Sequence, residues 1–168
     1  MSRFPRTRKG QTAVEMLFIL GVILAGIVVV VPVYTHQSSD SVMLTTVRDA
    51  ASQAAAYINM GVLSNDSAYI PLNEVINNYT GYSNAGFRFV GLRVLEENST
   101  SIVVAVKFAH DLSLNPTQNG KIAVAIGEFI KGYLRGVSGF SQRGGQIYAD
   151  NRLLKFNVTV CETWVVIS

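Results

Sequence analysis

The sequence predicts an α+β fold, with one long N-terminal helix followed by a head of antiparallel β-sheet and short helices. Near the N-terminus, an uncharged apolar run passes into apolar residues spaced three and four apart, which is typical of a helix. In the second half of the chain, runs rich in β-branched and aromatic residues alternate with turn-forming residues, which is typical of antiparallel strands. These patterns place the helix first and the sheet later.

The apolar run covers residues 16–33, and its 18 residues are enough to cross a bilayer as a helix. Four cations precede it, at Arg3, Arg6, Arg8 and Lys9. An excess of Lys and Arg marks the cytoplasmic side of a membrane segment. We therefore expect a precursor in the cytoplasmic membrane, with its N-terminus inside and its head outside.

Gly10 marks an expected processing site. In a secretory signal the small-residue cleavage site follows the apolar core, whereas Gly10 precedes it. Cleavage between Gly10 and Gln11 would remove the leader charges, Arg8 and Lys9 included, and leave the apolar run at the start of the mature chain.

Glu15 lies at the entrance to the apolar run, where a carboxylate is costly unless it finds a partner or stays at the interface. The amine that cleavage creates on Gln11 lies about one helical turn away. The two groups can pair within one chain or between neighbouring copies, and in the second case the pair sets the stagger between helices. Alternatively, Glu15 lies among the headgroups beside Arg8 and Lys9 and has no role.

The run resembles the class III signal peptide of archaeal type IV pilin-like proteins, on the residues Lys9, Gly10, Gln11, Thr12, Ala13, Val14 and Glu15, which continue into the apolar residues 16–20. Ala13 stands where that family usually has Ser. The resemblance covers roughly residues 6–35. It implies cleavage after the glycine by a prepilin peptidase, and a helical homopolymer of copies of this chain. It also implies an assembly ATPase and a membrane platform protein as partners.

The expected organisation is a leader at residues 1–10, an apolar helix at 11–33, an amphipathic extension of that helix at 34–66 and an extracellular α+β head at 67–168. Pro32 removes a backbone donor and predicts a kink. The apolar stripe of the extension consists of Met43, Val47, Ala50, Ala54 and Ile58. A continuous helix over residues 11–63 would have 53 residues and a length of about 80 Å.

In the head, Pro71 predicts the first turn of a short helix that reaches Tyr79. Residues 87–96 and 101–109 predict a hairpin with Asn98 at its tip. Residues 115–120 are expected to form a loop. Residues 121–134 fit either a strand or a helix, and we predict a helix because Ile122, Ile126, Phe129, Ile130 and Tyr133 have helical spacing.

A glycine-rich loop at 136–145 precedes a second predicted hairpin, with arms at 146–149 and 152–167 and a turn at Asp150 and Asn151. Alternation in the last arm places Asn157 and Cys161 on its outward face. The Cys161 thiol is interpreted either as a link between subunits or as a partly buried side chain, and the second interpretation is favoured.

Four sequons provide candidate N-glycosylation sites, at Asn65, Asn78, Asn98 and Asn157. The net charge of +3 becomes −1 without the leader, since 10 Lys and Arg then face 11 Asp and Glu, so nucleic-acid binding is not expected. One cysteine allows no disulfide within the chain.

No catalytic or metal-binding pattern is found, because His36 and His110 are isolated in the sequence, and no cofactor is expected. Asp111 follows His110, a pair expected at the surface of a strand end. The aromatic residues Tyr79, Tyr82, Phe87 and Phe89 could form a binding platform or, as we expect, part of the core.

The sequence thus predicts a non-enzymatic structural subunit of an extracellular filament on the cell surface, for adhesion or surface attachment. One alternative is an uncleaved, single-span membrane anchor that carries an extracellular binding domain. The other is an anchored surface enzyme, which would need a cluster of His and carboxylates in the head.

Overall fold

The computed structural model describes the backbone of residues 8–161 and 163–167, and the side chains of those residues other than 8–13, 30–39 and 163–166. The chain divides into two compact units, Met1–Ser41 and Val42–Ser168. Helices and a β-sheet coexist in the second unit, so the predicted α+β class is confirmed.

Helix α1 is Arg8–Met60, a helix of 53 residues. This equals the number of residues in the helix expected over 11–63, and both ends lie three residues earlier than expected. Pro32 is helical in the backbone assignment, while its side chain lies outside the described residues, so the kink stays a prediction. Gly61 ends the helix in the left-handed conformation, with φ of 64°, as is common for glycine after a helix.

The predicted apolar stripe of α1 is confirmed in the second unit. Met43, Val47, Ala50, Ala54 and Ile58 are all buried in its hydrophobic core. At the end of this stretch the Asn59 side chain donates to the carbonyl of Phe87 at 2.6 Å and accepts from its N–H at 2.8 Å. The small alanines therefore permit close packing, and Asn59 fixes the helix to the start of the sheet.

A short helical segment follows α1, as Pro71 predicted. It consists of a 3₁₀ turn at Ser67–Tyr69, helix α2 at Ile70–Val75 and a π-helical turn at Ile76–Thr80. The segment ends at Gly81, which has a positive φ.

The sheet has six strands: β1 (Arg88–Glu97), β2 (Ser101–Ala109), β3 (Phe140–Arg143), β4 (Gln146–Ala149), β5 (Arg152–Val160) and β6 (Thr163–Ile167). Their order is β1-β2-β5-β4-β3, and β6 also pairs with β5. The expectation of an antiparallel sheet is wrong in one place, because β2 and β5 are parallel. The chain between them includes a helix, and a crossover of this length permits parallel pairing.

Helix α3 is Pro116–Leu134, so the predicted helix at 121–134 is confirmed and the predicted loop at 115–120 is wrong. The earlier start has a local cause. Asn115 accepts from the N–H of Gln118, and the Gln118 side chain accepts from the N–H of Asn115, each at 2.9 Å. This capping box, with Pro116 in the first turn, satisfies donors that would otherwise be unpaired at the helix start.

The second hairpin turns at Asp150 and Asn151, as predicted, and both residues have positive φ. Two features of this region were not predicted. Strand β3 pairs with β4 inside the expected glycine-rich loop. The last arm is also interrupted, since β5 ends before Cys161, whose φ of 47° turns the chain back into β6.

Candidate functional site

The most unusual surface of the molecule lies on residues 14–29 of α1. Every side chain in this stretch is exposed. Twelve of them are large and apolar, with exposed fractions between 50% and 74%: Val14, Met16, Leu17, Phe18, Ile19, Leu20, Val22, Ile23, Leu24, Ile27, Val28 and Val29. A soluble monomer rarely presents a contiguous apolar patch of this kind.

The apolar residues of this stretch lie all round the helix instead of on one stripe, and Glu15 is its only charged residue. A helix that is apolar on every side is normally buried, either in a protein core or in a membrane. Residues 14–29 therefore have the composition of a buried helix and are exposed in the described chain.

The processing residues are only partly described. Arg8, Lys9, Gly10 and Gln11 belong to α1 by their backbone, and their side chains lie outside the described residues, as do Arg3 and Arg6 entirely. The Gly10–Gln11 bond thus lies inside a helix. Cleavage there, and pairing of the new amine with Glu15, stay predictions.

The four sequon asparagines differ in exposure. Asn65, Asn78 and Asn98 are exposed. Asn98 lies at the tip of the β1–β2 hairpin, as predicted, and its Oδ1 accepts from the N–H groups of Thr100 and Ser101. Asn157 is half-buried, and its Oδ1 is buried without a hydrogen-bond partner in the described chain. The predicted outward face of β5 is thus only half-exposed at Asn157, and glycosylation there stays a prediction.

The positive φ at Cys161 interrupts the alternation of the strand, so strand parity does not decide which face its side chain occupies. Its side chain is half-buried against the core, and its thiol donates weakly to the carbonyl of His110 at 3.8 Å.

His110 is buried, so its predicted surface position is wrong. Its Nδ1 accepts from the N–H of Leu112 at 3.1 Å, and its Nε2 lies 2.9 Å from Oδ1 of Asn119. Asp111 points elsewhere and pairs with Arg88 at 2.8 Å. Since Nδ1 accepts, Nε2 is the nitrogen that can donate to Asn119, the partner that sequence reasoning missed.

Three of the four aromatic residues considered for a binding platform belong to the core instead. Phe87 is buried, Phe89 packs edge-on against Phe108, and Tyr79 packs against the core, whereas Tyr82 is exposed. Among residues 8–161 and 163–167, no three His, Cys, Asp or Glu side chains are grouped to hold a metal ion.

Within the described chain, no helix has both the length and the apolar character that crossing a membrane requires. The membrane span predicted at residues 16–33 extends beyond the described side chains and stays a prediction. No protein-family model, curated protein or solved structure matches the chain significantly.

Proposed function

We propose that this chain is the structural subunit of an archaeal type IV pilus-like extracellular filament, assembled through its apolar N-terminal helix and used for adhesion or surface attachment. The observation that supports this most is the exposure of twelve large apolar side chains on residues 14–29. A filament subunit needs such a surface, because each copy buries it against its neighbours.

The size of this surface determines how much free energy its burial releases. Full burial of one large apolar side chain contributes about 1.5–3 kcal/mol. Twelve side chains that are half to three-quarters exposed would therefore gain on the order of 15 kcal/mol from burial. This gain is as large as the entire stability of a typical domain, about 5–15 kcal/mol. The segment therefore needs lipid or other copies around it.

The proposed order of events is the one that the resemblance to type IV pilin-like proteins implies. A prepilin peptidase cuts the Gly10–Gln11 bond at the cytoplasmic face and removes Arg8 and Lys9. The helix then waits in the membrane until the assembly ATPase and the platform protein transfer it into the filament. The apolar surface exchanges lipid for neighbouring helices and does not pass through water.

Glu15 gives the polymer its register in this proposal. The free amine of Gln11 on one copy pairs with the Glu15 carboxylate of the next, in surroundings where an unpaired charge is costly. The charges cancel only at one stagger between adjacent helices, so the pair selects that stagger.

Gly21 and Gly26 support close helix contacts. A Cβ added at either position meets no atom within 4 Å, so the fold of the single chain does not require glycine there. Glycine within a helix costs roughly 0.5–1 kcal/mol relative to alanine. Small residues on apolar helices allow neighbouring backbones to approach closely, which gives a reason for both glycines in an assembly.

A second candidate function is an uncleaved membrane anchor that carries an extracellular binding domain. It is favoured by the position of the Gly10–Gln11 bond inside α1, since a peptidase needs the helix to unwind locally before it can cut.

The test is expression in an archaeal host, followed by isolation of surface fibres, electron microscopy and intact-mass analysis of the chain. We expect fibres whose subunit begins at Gln11. Replacing Gly10 by Leu should leave the leader attached, whereas Gly10→Ala, the matched small-residue control, should still be processed. A surface-exposed wild-type chain that retains its N-terminal arginines would support the anchor instead, and absence of the chain from any fibre would contradict the proposal.

A further inference from the structure

A cavity of about 370 Å³ opens on the face of the sheet where β1, β2 and β5 lie side by side. We call it the sheet-face pocket, and the lining residues that matter here are Val90, Gly91, Arg93, Ala105, Lys107 and Thr159. The strand register brings them together, because Lys107 pairs with both Gly91 and Thr159, and Ala105 pairs with Arg93. The pocket lies wholly within the second unit of the chain.

Two cations at the pocket lack a carboxylate partner among the described residues. Arg93 and Lys107 are exposed, and neither forms an ion pair with any residue in the described part of the chain. Arg88 and Arg152, on the same sheet, do form ion pairs, with Asp111 and Glu97. The pocket therefore holds positive charge that is available to an anion.

A polar group beneath these cations also lacks a partner. Thr159 is 1% exposed, and its hydroxyl makes no hydrogen bond within the described chain. On the same face, Asn157 pairs with Ala105, and its Oδ1 is likewise buried without a hydrogen-bond partner in the described chain. Buried polar atoms are nearly always hydrogen-bonded, because leaving one unpaired is costly. Of these two residues Thr159 lines the pocket, so a ligand that carries hydroxyl groups could supply the missing partner of its hydroxyl.

The backbone of β1 is shaped to leave space at this point. The register shifts between Phe89 and Gly91, so Val90 forms a bulge and is 53% exposed. A Cβ added at Gly91 meets no atom within 4 Å. Bulges recur next to binding sites, and glycine within a strand often marks the close approach of a ligand.

We propose that the sheet-face pocket binds a small organic carboxylate of the acidic-sugar class. Arg93 and Lys107 hold the carboxylate, and the hydroxyl of Thr159 donates to it or accepts from a sugar hydroxyl. Val90 and Ala105 contact the C–H groups of the ring. The cavity volume lies in the range of small-molecule sites, about 300–1,000 Å³. Inorganic phosphate has the charge and lacks the apolar body, so it fits less well.

The test uses the full-length chain in detergent micelles and isothermal titration calorimetry with D-glucuronate, D-glucose and inorganic phosphate. We expect saturable binding of one glucuronate per chain, and at least about tenfold weaker binding of glucose, which lacks the charge-assisted hydrogen bonds. Phosphate should also bind at least about tenfold more weakly, since it cannot contact the apolar wall. Absence of saturable glucuronate binding would overturn the proposal, as would phosphate affinity equal to that of glucuronate.

Four variants locate the site. Arg93→Gln and Lys107→Gln should each weaken glucuronate binding by about tenfold. Gly91→Leu places an isobutyl group at the pocket from a Cβ that meets no atom within 4 Å, and it should abolish binding while the thermal unfolding curve remains cooperative. Arg135→Gln removes an exposed cation that does not line the pocket and is the matched control. Unchanged binding in Gly91→Leu would contradict the assignment of the pocket.

Thr159→Val provides a readout that a purely structural role would not give. The change removes the unpaired hydroxyl and nearly conserves shape, so we expect weaker glucuronate binding together with an unchanged or higher melting temperature. Unchanged affinity in this variant would remove Thr159 from the site and count against the proposal. The site does not depend on filament assembly, so binding without fibres would refute only the proposed filament, and fibres without binding would refute only the pocket.

Discussion

Helix α1 contains two stretches whose side chains differ in exposure, residues 14–29 and residues 42–60. Every side chain of the first stretch is exposed, whereas the second buries a stripe in the core of its own unit. Ile23 is 52% exposed and Ile58 is fully buried, although the residue type is the same. The difference follows from patterning, because only the second stretch has polar residues on its opposite face.

The two stretches separate the apolar surface that a helix buries within its own chain from the apolar surface that it leaves for other molecules to bury. A periodic stripe is satisfied by one surface, and the chain provides that surface in its own core. A helix that is apolar on all sides needs apolar neighbours all round. We therefore expect truncation of large apolar side chains in the buried stripe of residues 42–60 to lower the stability of the single chain, and the same truncation in residues 14–29 to change assembly.

The largest expected effect is loss of filaments in Glu15→Ala. This variant removes the carboxylate that pairs with the amine of a neighbouring copy in our proposal, while membrane insertion and cleavage after Gly10 should continue. Fibre counts by electron microscopy and intact mass of the membrane fraction measure the two effects separately. Glu96→Ala removes an exposed carboxylate from the head and should leave the fibres unchanged. Normal fibres from Glu15→Ala would show that the pair is not needed.

Ile58→Ala and Ile23→Ala form a matched pair for stability. The first creates a cavity in the core and should lower the free energy of unfolding by about 2–5 kcal/mol. The second removes exposed surface and should change it by less than about 0.5 kcal/mol in the unassembled chain. Urea unfolding in detergent, followed by circular dichroism, gives both values. Equal losses in the two variants would remove the distinction between the stretches.

Two glycines, Gly61 directly after α1 and Gly21 within residues 14–29, differ in backbone conformation and in the space around them. Gly61 has φ of 64°, and a Cβ there would lie 2.7 Å from the carbonyl oxygen of Tyr82, so Gly61→Ala should cost at least about 1–2 kcal/mol of stability. Gly21→Ala meets open space within a helix and should stabilise the unassembled chain by roughly 0.5–1 kcal/mol. Thermal unfolding of both variants tests the contrast. A loss of stability in Gly21→Ala would place residue 21 against another part of its own chain.

The smallest expected effect concerns pH and Tyr57, in the buried stretch. Its hydroxyl donates to Asn73 at 2.6 Å and accepts from the N–H of Ser64 at 2.6 Å. Burial raises the pKa of Tyr57 above the ordinary value of 10.0, and the bond from Ser64 opposes this. Folding therefore favours the protonated phenol, and stability falls as the pH rises above about 10.

Tyr57→Phe should cost about 1 kcal/mol at neutral pH through its lost hydrogen bonds. The variant should also show a flatter decline in stability above pH 10, because residue 57 then has no phenol that ionises in the unfolded chain. Urea midpoints between neutral pH and pH 11 measure both effects. A decline as steep as that of the wild-type chain would assign the alkaline transition to other groups.

Local patterns predicted those elements of the fold that local interactions determine. The stripe on α1, the first turn of α2 with Pro71 and the turn at Asp150 and Asn151 each depend on residues a few positions apart. The early start of α3 was not predicted, although it also has a local signal, since Asn115 and Gln118 have the spacing of a capping box.

The features that were missed depend on distant parts of the chain. Parallel pairing of β2 with β5 joins residues about 50 positions apart and leaves no mark in either strand alone. The burial of His110 depends on Asn119 in α3, and the sheet-face pocket depends on three strands in register. The proposed assembly surface, in contrast, needs no information from distant parts of the chain, because the apolar composition of residues 16–33 is enough to identify it.

In the proposed filament, residues 14–29 are buried against the same segment of other copies. Disulfide cross-linking of an Ile23→Cys chain in a Cys161→Ser background tests this most directly. Fibres and the membrane fraction are oxidised separately and analysed on non-reducing gels. We expect cross-linked dimers from the fibres and mainly monomers from dilute membranes. Fibres that contain the variant and yield only monomers, with the cysteine still open to a water-soluble thiol reagent, would contradict it.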